Sequence, residues 1–507
     1  MRTFLKLAER AAMLAMFGVS IALAQSANPA ETIDGRWDAS LTSQGQVIPF
    51  RLDISGSGAT LKGTLYNGFR PYDGTTSATF EDNKLVLRLD HYLTTITATL
   101  KDGALTGSIA STRVRTADAA APKATDAGAS ESDVERLTKI ESGENPSTSA
   151  LFQAVRHVET AVVAPADVPQ IGGLWIIPLD SPTAKGENAF RFYVDQRGAD
   201  VEATILRIDG DSGTYSGSYK DGKLALSHFD GGRPGVIEVA LTKDGSLEIL
   251  QKGGLARNAA TQDRSIQSGF GVPGELRDER LAANAGPNDL AVAPLSGRFA
   301  PKLIAYRPEV AKAKGLPEPD NYQTHTGIRD PNEVFKFKFP DDRGNIVSNE
   351  DPRFRGKVVL AVVSGTWCPP CHDEIQYLVQ LDKKYRDKGL AIVAFDFEEP
   401  EQQKSLTREQ ALVKHYGVKY TYLIAGDKAE VWEKIPQFIN LNSWPTTIFI
   451  GRDGKVKATH TGFASPAAGD FHRQLREEFE SKIEKLLAEK APQNVADADS
   501  SPVKGGQ

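Results

Sequence analysis

Two cysteines and three methionines are all the sulfur this 507-residue chain holds. The cysteines, Cys368 and Cys371, stand in one four-residue motif, which excludes a framework of structural disulfides. A bridge between them closes a loop too short to constrain much of the unfolded chain, so chemistry explains the pair better than stability does. A closed structural zinc site needs four ligands and the chain has no further cysteines, so no metal is expected. Charge of one sign is scarce too. The 60 Lys and Arg face 66 Asp and Glu, for a net charge of -6 with no long basic stretch, so no nucleic-acid partner is expected. No apolar run after the N-terminus is long enough to span a bilayer.

What is present starts with the pattern expected of an export signal. Arg2, Lys6 and Arg10 precede an apolar run from Ala11 to Leu23 that ends in Ala22-Leu23-Ala24. This pattern predicts a signal peptide over 1–24, cleaved before Gln25, and a periplasmic or secreted protein; an uncleaved N-terminal membrane anchor is the alternative. No cysteine stands near the cut to carry a lipid.

The remaining length predicts a multidomain chain. From about Asp34 to Leu250 short alternating strands are separated by Gly, Asp and Asn turns, as in Val47–Ile54, Lys84–Leu89 and Thr95–Leu100. The pattern returns at a nearly constant offset of 138 to 140 residues: Trp37 with Trp175, Phe50 with Phe190, Phe80 with Tyr219, Leu85 with Leu224. It reads as a tandem repeat of an antiparallel β unit, over 31–116 and 168–252, built as barrels or sandwiches. Residues 117–167, rich in Ala, Ser, Thr, Asp and Pro, read as a linker. Residues 253–330 read as a Gly/Pro-rich connector with one short helix at Pro308–Lys314.

From 331 to 490 strands alternate with amphipathic helices, the mark of an α/β domain, and 491–507 reads as a disordered tail. Val358–Ser364 is a continuous apolar strand, followed by a helix from Pro369 to about Lys388. Cys368 falls at the handover. There a thiol meets unpaired backbone N–H groups and the positive end of the helix dipole, which favour the reactive thiolate. Cys371 lies one turn on, within reach of a mixed disulfide at Cys368. Pro369 and Pro370 fit because the first turn does not use their N–H groups.

These residues resemble the TlpA/ResA-type thioredoxin-like periplasmic thiol–disulfide oxidoreductases. The resemblance runs from about Val334 to Ala488. It rests on Gly356-Lys357-Val358-Val359, on Gly365-Thr366-Trp367-Cys368-Pro369-Pro370-Cys371, on Glu374, on Trp444-Pro445-Thr446-Thr447 and on Gly454-Lys455-Val456. It implies an α/β thioredoxin-like fold with Cys368 as nucleophile and Cys371 as resolving thiol. Glu374 would be the acid that tunes them and Pro445 a cis-proline beside them. Trp367, Pro369, Pro370, Trp444 and Thr446 would form the substrate surface. The redox-active disulfide Cys368–Cys371 would replace any cofactor. Implied partners are oxidised protein thiols, apocytochrome c among them, and a membrane electron donor for re-reduction; the ligand of the β repeats is unknown. Thioredoxin's buried aspartate, six residues before the first cysteine, is Val362 here, which leaves proton handling to Glu374.

Cys368-Pro369-Pro370-Cys371-His372 also fits c-type haem attachment, but Met1, Met13 and Met16 all fall in the signal peptide and leave no methionine ligand. A peroxidase of the peroxiredoxin kind needs a threonine where Gly365 stands. His372 and His460 read as surface or packing residues. A redox-sensitive docking protein without turnover is the other alternative. The activity needs both sulfurs reachable from solvent.

Overall fold

Alternation of apolar and polar side chains governs the first half of the chain. In the computed structural model, which describes residues 32–43, 45–111, 148–159, 167–211, 213–220, 222–232, 234–254, 302–399 and 405–490, that alternation produces two antiparallel sheets. The expected signal peptide, the tail 491–507 and most of the predicted linker lie outside the described residues.

The first sheet comprises β1 (Gly35–Ser43), β2 (Gln46–Ser55), β3 (Lys62–Asn67), β4 (Arg70–Gly74), β5 (Ser77–Glu81), β6 (Lys84–Leu89), β7 (Thr94–Lys101), β8 (Ala104–Ser111) and β9 (Thr148–Arg156). β9 pairs with both β8 and β1. The sheet ends, β4 and β5, are consecutive in the chain. Between them Thr75 N–H donates to Gly63 O (2.9 Å) and Thr76 N–H to Arg88 O (2.8 Å), so the sheet rolls shut. Ile48, Phe50, Leu52 and Ile54 of β2 point inward with Trp37, Leu85, Leu87 and Phe152, filling the interior with side chains.

The second sheet comprises β10 (Gly173–Pro178), β11 (Ala189–Arg197), β12 (Asp200–Leu206), β13 (Tyr215–Lys220), β14 (Lys223–His228), β15 (Gly235–Leu241), β16 (Leu247–Gly254) and β17 (Lys302–Ala305). It closes through reciprocal backbone bonds between Ile176 and Tyr306, 2.7 and 2.8 Å. Its interior is likewise full, around Trp175, Phe190, Phe192 and Leu226. Both units are therefore filled barrels rather than sandwiches.

Several features recur. Trp37 Nε1 donates to Ile33 O (3.0 Å) and Trp175 Nε1 to Ile171 O (2.8 Å). The guanidinium of Arg156 lies 4.2 Å over Trp37, and that of Arg307 lies 3.9 Å over Trp175. Phe80 pairs with Leu85 as Tyr219 pairs with Leu224.

The predicted boundaries need correction. β9 lies within the stretch read as linker 117–167, and β17 within the connector 253–330. Each completes a barrel by pairing with a strand far upstream. The inward residues of β9, Ala150, Phe152 and Ala154, are mostly small and follow an Ala/Ser/Thr-rich stretch, so their alternation is faint in sequence. The helix α1 (Pro308–Ala313) falls where it was predicted.

The C-terminal domain carries a five-stranded sheet in the order β23 (Thr421–Asp427), β22 (Leu390–Glu398), β21 (Val358–Ser364), β25 (Thr446–Ile450), β26 (Val456–Thr461). The first three strands are parallel and the last two antiparallel, which is the thioredoxin arrangement. Val358, Leu360 and Val362 face the helices α2 (Pro369–Tyr385) and α5 (Asp470–Ala488), and Val359, Ala361 and Val363 face the other side. The helices α3 (Thr407–Tyr416) and α4 (Val431–Lys434) complete it. Small pairings absent from the sequence reading are β18 (Gly327–Ile328) with β24 (Phe438–Ile439), and β19 (Lys338–Pro340) with β20 (Ile346–Ser348).

Phe152→Ala tests the revised boundary. Emptying a buried aromatic site in the first barrel is expected to cost about 3–5 kcal/mol in urea denaturation; a loss under about 0.5 kcal/mol would return residues 148–156 to the linker.

Candidate active site

The strand β21 ends at Ser364, and the chain turns through Gly365, Thr366 and Trp367 to place Cys368 at the N-cap of α2, with Pro369 and Pro370 as its first two residues. Glu398, at the end of β22, holds this turn by accepting from both the backbone N–H (2.7 Å) and the hydroxyl of Thr366. Arg408 in turn pairs with Glu398 (2.5 Å) and Glu399 (3.2 Å). The acidic pair is visible in the sequence, but nothing there says that it faces Thr366.

Cys368 and Cys371 form a disulfide. The Trp444–Pro445 peptide is cis, and the Trp444 carbonyl oxygen lies 3.4 Å from Cys368 Sγ. Cys368, Cys371 and Pro445 are thus brought together. Trp367 and Trp444 pack at 5.6 Å beside them, and Trp367 Nε1 donates to Phe397 O (2.8 Å).

Glu374 is buried, and its carboxyl takes the hydroxyl of Thr447. Thr447 is the cross-strand partner of Val362, so the acid reaches the strand position where thioredoxin keeps its aspartate. Burial raises its pKa to about 8, against a smaller lowering by Thr447. Burial also raises Asp373 well above the carboxylate range, reinforced by Asp211 and Asp230. Glu374 is therefore protonated near neutral pH, and the upward push on Asp373 weakens its opposition to the helix N-terminus that favours a thiolate at Cys368.

Two expectations differ from the structure. The sulfurs are not open to solvent: Cys368 is 2% exposed and Cys371 0%. The expected substrate surface is also closed. Pro369, Pro370, Trp444 and Thr446 are buried, the Thr446 hydroxyl donates to Ser443 O (2.8 Å), and only Trp367 is half-buried. The reason is tertiary: both sulfurs lie in a core cluster with Phe397, Trp444 and Trp367 of the same domain, and Tyr92 of the first barrel stacks on His372 beside them.

His372 is a packing residue, as read, but of a specific kind. It is fully buried, its Nε2 donates to Thr366 O (2.8 Å), and its ring stacks on Tyr92 of the first barrel at 4.5 Å. Burial and the neighbouring His91 lower its pKa to about 3, so it stays neutral. His460 is also buried and pairs with Glu478 at 3.2 Å.

Beside His372, Asp73 accepts from His91 Nε2 (2.8 Å), His415 Nε2 (2.6 Å) and the Tyr416 hydroxyl (2.8 Å). Burial pushes Asp73 upward, but the hydrogen bonds from His415 and His91 outweigh it and hold the carboxyl below its usual range. Asp73, His91 and His415 are the one grouping of three metal-ligating residues among the described residues. The imidazoles of His91 and His415 are nearly parallel, 4.2 Å apart at 13°, so no single cation lies in both ring planes. Each carboxylate oxygen already takes one imidazole, and the group is a hydrogen-bonded clasp.

The proton on Glu374 has a consequence for stability. An unfolded Glu releases it above about pH 4.5, whereas the folded one keeps it to about pH 8. Its stabilising contribution is complete below the lower value and is lost as pH rises through the window, by about 1.4 kcal/mol per unit. Relative to Glu374→Gln, the wild-type protein is expected to lose stability across this window in urea titrations. Parallel pH profiles of the two proteins would contradict the buried acid.

Residues 331–459 match the AhpC/TSA family. Over 167 residues the chain is 29% identical to the thiol-disulfide oxidoreductase ResA of Bacillus anthracis, covering 33% of this chain and 82% of ResA. It is 32% identical over 145 residues to the thioredoxin-like protein YneN of Bacillus subtilis (strain 168), 28% of this chain and 79% of YneN. Among solved structures, a thiol:disulfide interchange protein of the thioredoxin family from Chlorobium tepidum TLS is similar over 31% of this chain and 98% of its own, at 22% identity and a TM-score of 0.24. Through its C-terminal domain, the chain belongs to the TlpA/ResA-like family of thioredoxin-fold thiol–disulfide oxidoreductases.

Proposed function

We propose that this oxidoreductase reduces protein disulfides outside the cytoplasm through a Cys368/Cys371 dithiol. The observation that carries the reading is the Cys368–Cys371 disulfide at the head of α2, facing the Trp444–Pro445 turn. The Cys368 thiolate attacks one sulfur of a substrate disulfide and releases the first substrate thiol. Cys371 then attacks Cys368 Sγ, releasing the second substrate thiol and closing the internal disulfide. Two electrons pass to the substrate, and a dithiol donor at the membrane returns them. Glu374, protonated to about pH 8, is the acid available to supply the proton. Trp367 and Trp444, with Pro369, Pro370 and Thr446 behind them, would shape the substrate surface. Oxidised exported thiols, including apocytochrome c, are the proposed substrates.

Export is supported by the charged and apolar pattern of residues 1–24. No helix among the described residues is long and apolar enough to cross a membrane. The haem reading loses support because His372 Nε2 is spent on Thr366 O and both cysteines are joined to each other. We read the two barrels as a duplicated β unit, on the recurring Trp–Arg stacks and the equal Phe80 and Tyr219 registers.

With a dithiol donor, the full chain is expected to reduce insulin, and Cys368→Ser to abolish it. Cys371→Ser is expected to accumulate mixed disulfides with substrate. If the intact chain shows no turnover with any dithiol donor, it acts as a redox-sensitive dock instead.

A further inference from the structure

Both sulfurs are buried, and the N-terminal half is seated beside the motif that holds them. From the first barrel, Tyr92 stacks on His372, the residue after Cys371, while Asp73 holds His415 and Tyr416 at the end of α3. Arg70 Nη1 donates to Pro466 O (3.0 Å) in the segment after β26.

From the second barrel, the loop after β12 runs alongside that same segment. Gly210 pairs in parallel with Phe463, Phe463 N–H donates to Asp209 O (3.3 Å), and Ser465 N–H donates to the buried carboxylate of Asp211 (2.8 Å). Gly462 N–H donates to Pro445 O (2.7 Å), so the seated loop lies one residue from the cis-proline turn. The approach is possible because Gly210 (φ +99) and Gly462 (φ +79) lack a Cβ; one added at either would strike the opposing backbone. Nearer β25, Asn442 Nδ2 donates to Lys185 O (3.4 Å).

We propose that the two barrels form a cover seated across the mouth of the catalytic disulfide, and that a protein disulfide reaches Cys368 only when this seat is released. The inference rests on the dithiol chemistry above. Exchange requires sulfur to touch sulfur, and the seated form leaves Cys368 2% exposed. The seat combines hydrogen bonds, stacked rings and one short backbone pairing with the packing of Leu206 against the catalytic core, and an intrachain interface of this kind opens locally without unfolding the domains it joins. The barrels, filled with their own side chains, act as rigid bodies that the seat holds or frees.

The test uses the full chain carrying Cys371→Ser, whose one thiol is Cys368, alkylated with iodoacetamide and with a large polyethylene-glycol maleimide. Adding Gly210→Ala at the second barrel's seat, or Asp73→Ala at the first barrel's clasp, is expected to speed maleimide labelling about tenfold. The effect on iodoacetamide should be smaller. Circular dichroism and a cooperative melt verify that each variant is folded, and Asp73→Ala carries the test if Gly210→Ala is not. Unchanged labelling in the folded variants, or a parent labelled as fast as in denaturant, overturns the cover. Alkylation needs no electron donor and reads the cover alone, whereas insulin reduction that fails in the otherwise wild-type chain and also with Asp73→Ala or Gly210→Ala strikes the proposed function and leaves this result standing.

Discussion

The head of α2 against the Trp444–Pro445 turn is the constraint on which the rest of the molecule depends. Cys368 sits at the N-cap of that helix, with its sulfur 3.4 Å from the Trp444 carbonyl oxygen. This placement takes a strand, β21, that delivers the chain to that point and a neighbour, β25, that delivers the proline turn beside it. Glu398 then pins Thr366 so that the intervening loop cannot relax away. The five-stranded sheet is in this sense a frame for two sulfurs.

Burial supplies the electrostatics of that frame. Water is excluded from Asp373 and Glu374, whose carboxyls are pushed toward their protonated forms, and from His372, which stays neutral. His372 and Glu374 thus carry no charge near neutral pH, and Asp373 is pushed the same way as Glu374. The helix dipole acts on Cys368 against weakened opposition from the acids nearest to it. The same exclusion leaves the catalytic disulfide sealed in the seated arrangement.

The barrels contribute at their surfaces. Their interiors are packed with Trp37, Phe152, Trp175 and Phe192. Their outward turns, by contrast, reach into the catalytic domain: Asp73, His91 and Tyr92 from one, Asp209 to Asp211 from the other. Four of the eight histidines in the chain, His91, His228, His372 and His415, belong to or adjoin this junction.

The local pattern of the chain was enough to determine the thioredoxin-like domain and its oxidoreductase family. A seven-residue apolar strand, a Cys-Pro-Pro-Cys helix start and a Trp-Pro-Thr-Thr segment are contiguous signals, each set by neighbours in sequence. The alternating strands of the barrels were legible for the same reason. Their last strands, β9 and β17, were not, because each closes its barrel by long-range pairing, β9 with β1 and the residue after β17, Tyr306, with Ile176, both more than a hundred residues away. Nor could sequence show that Glu398 faces Thr366, that Asp73 gathers His91, His415 and Tyr416, or that Gly210 lies against Phe463. Those contacts join separately folded elements, and only the packing of whole domains decides which polar groups meet and whether a sulfur sees water.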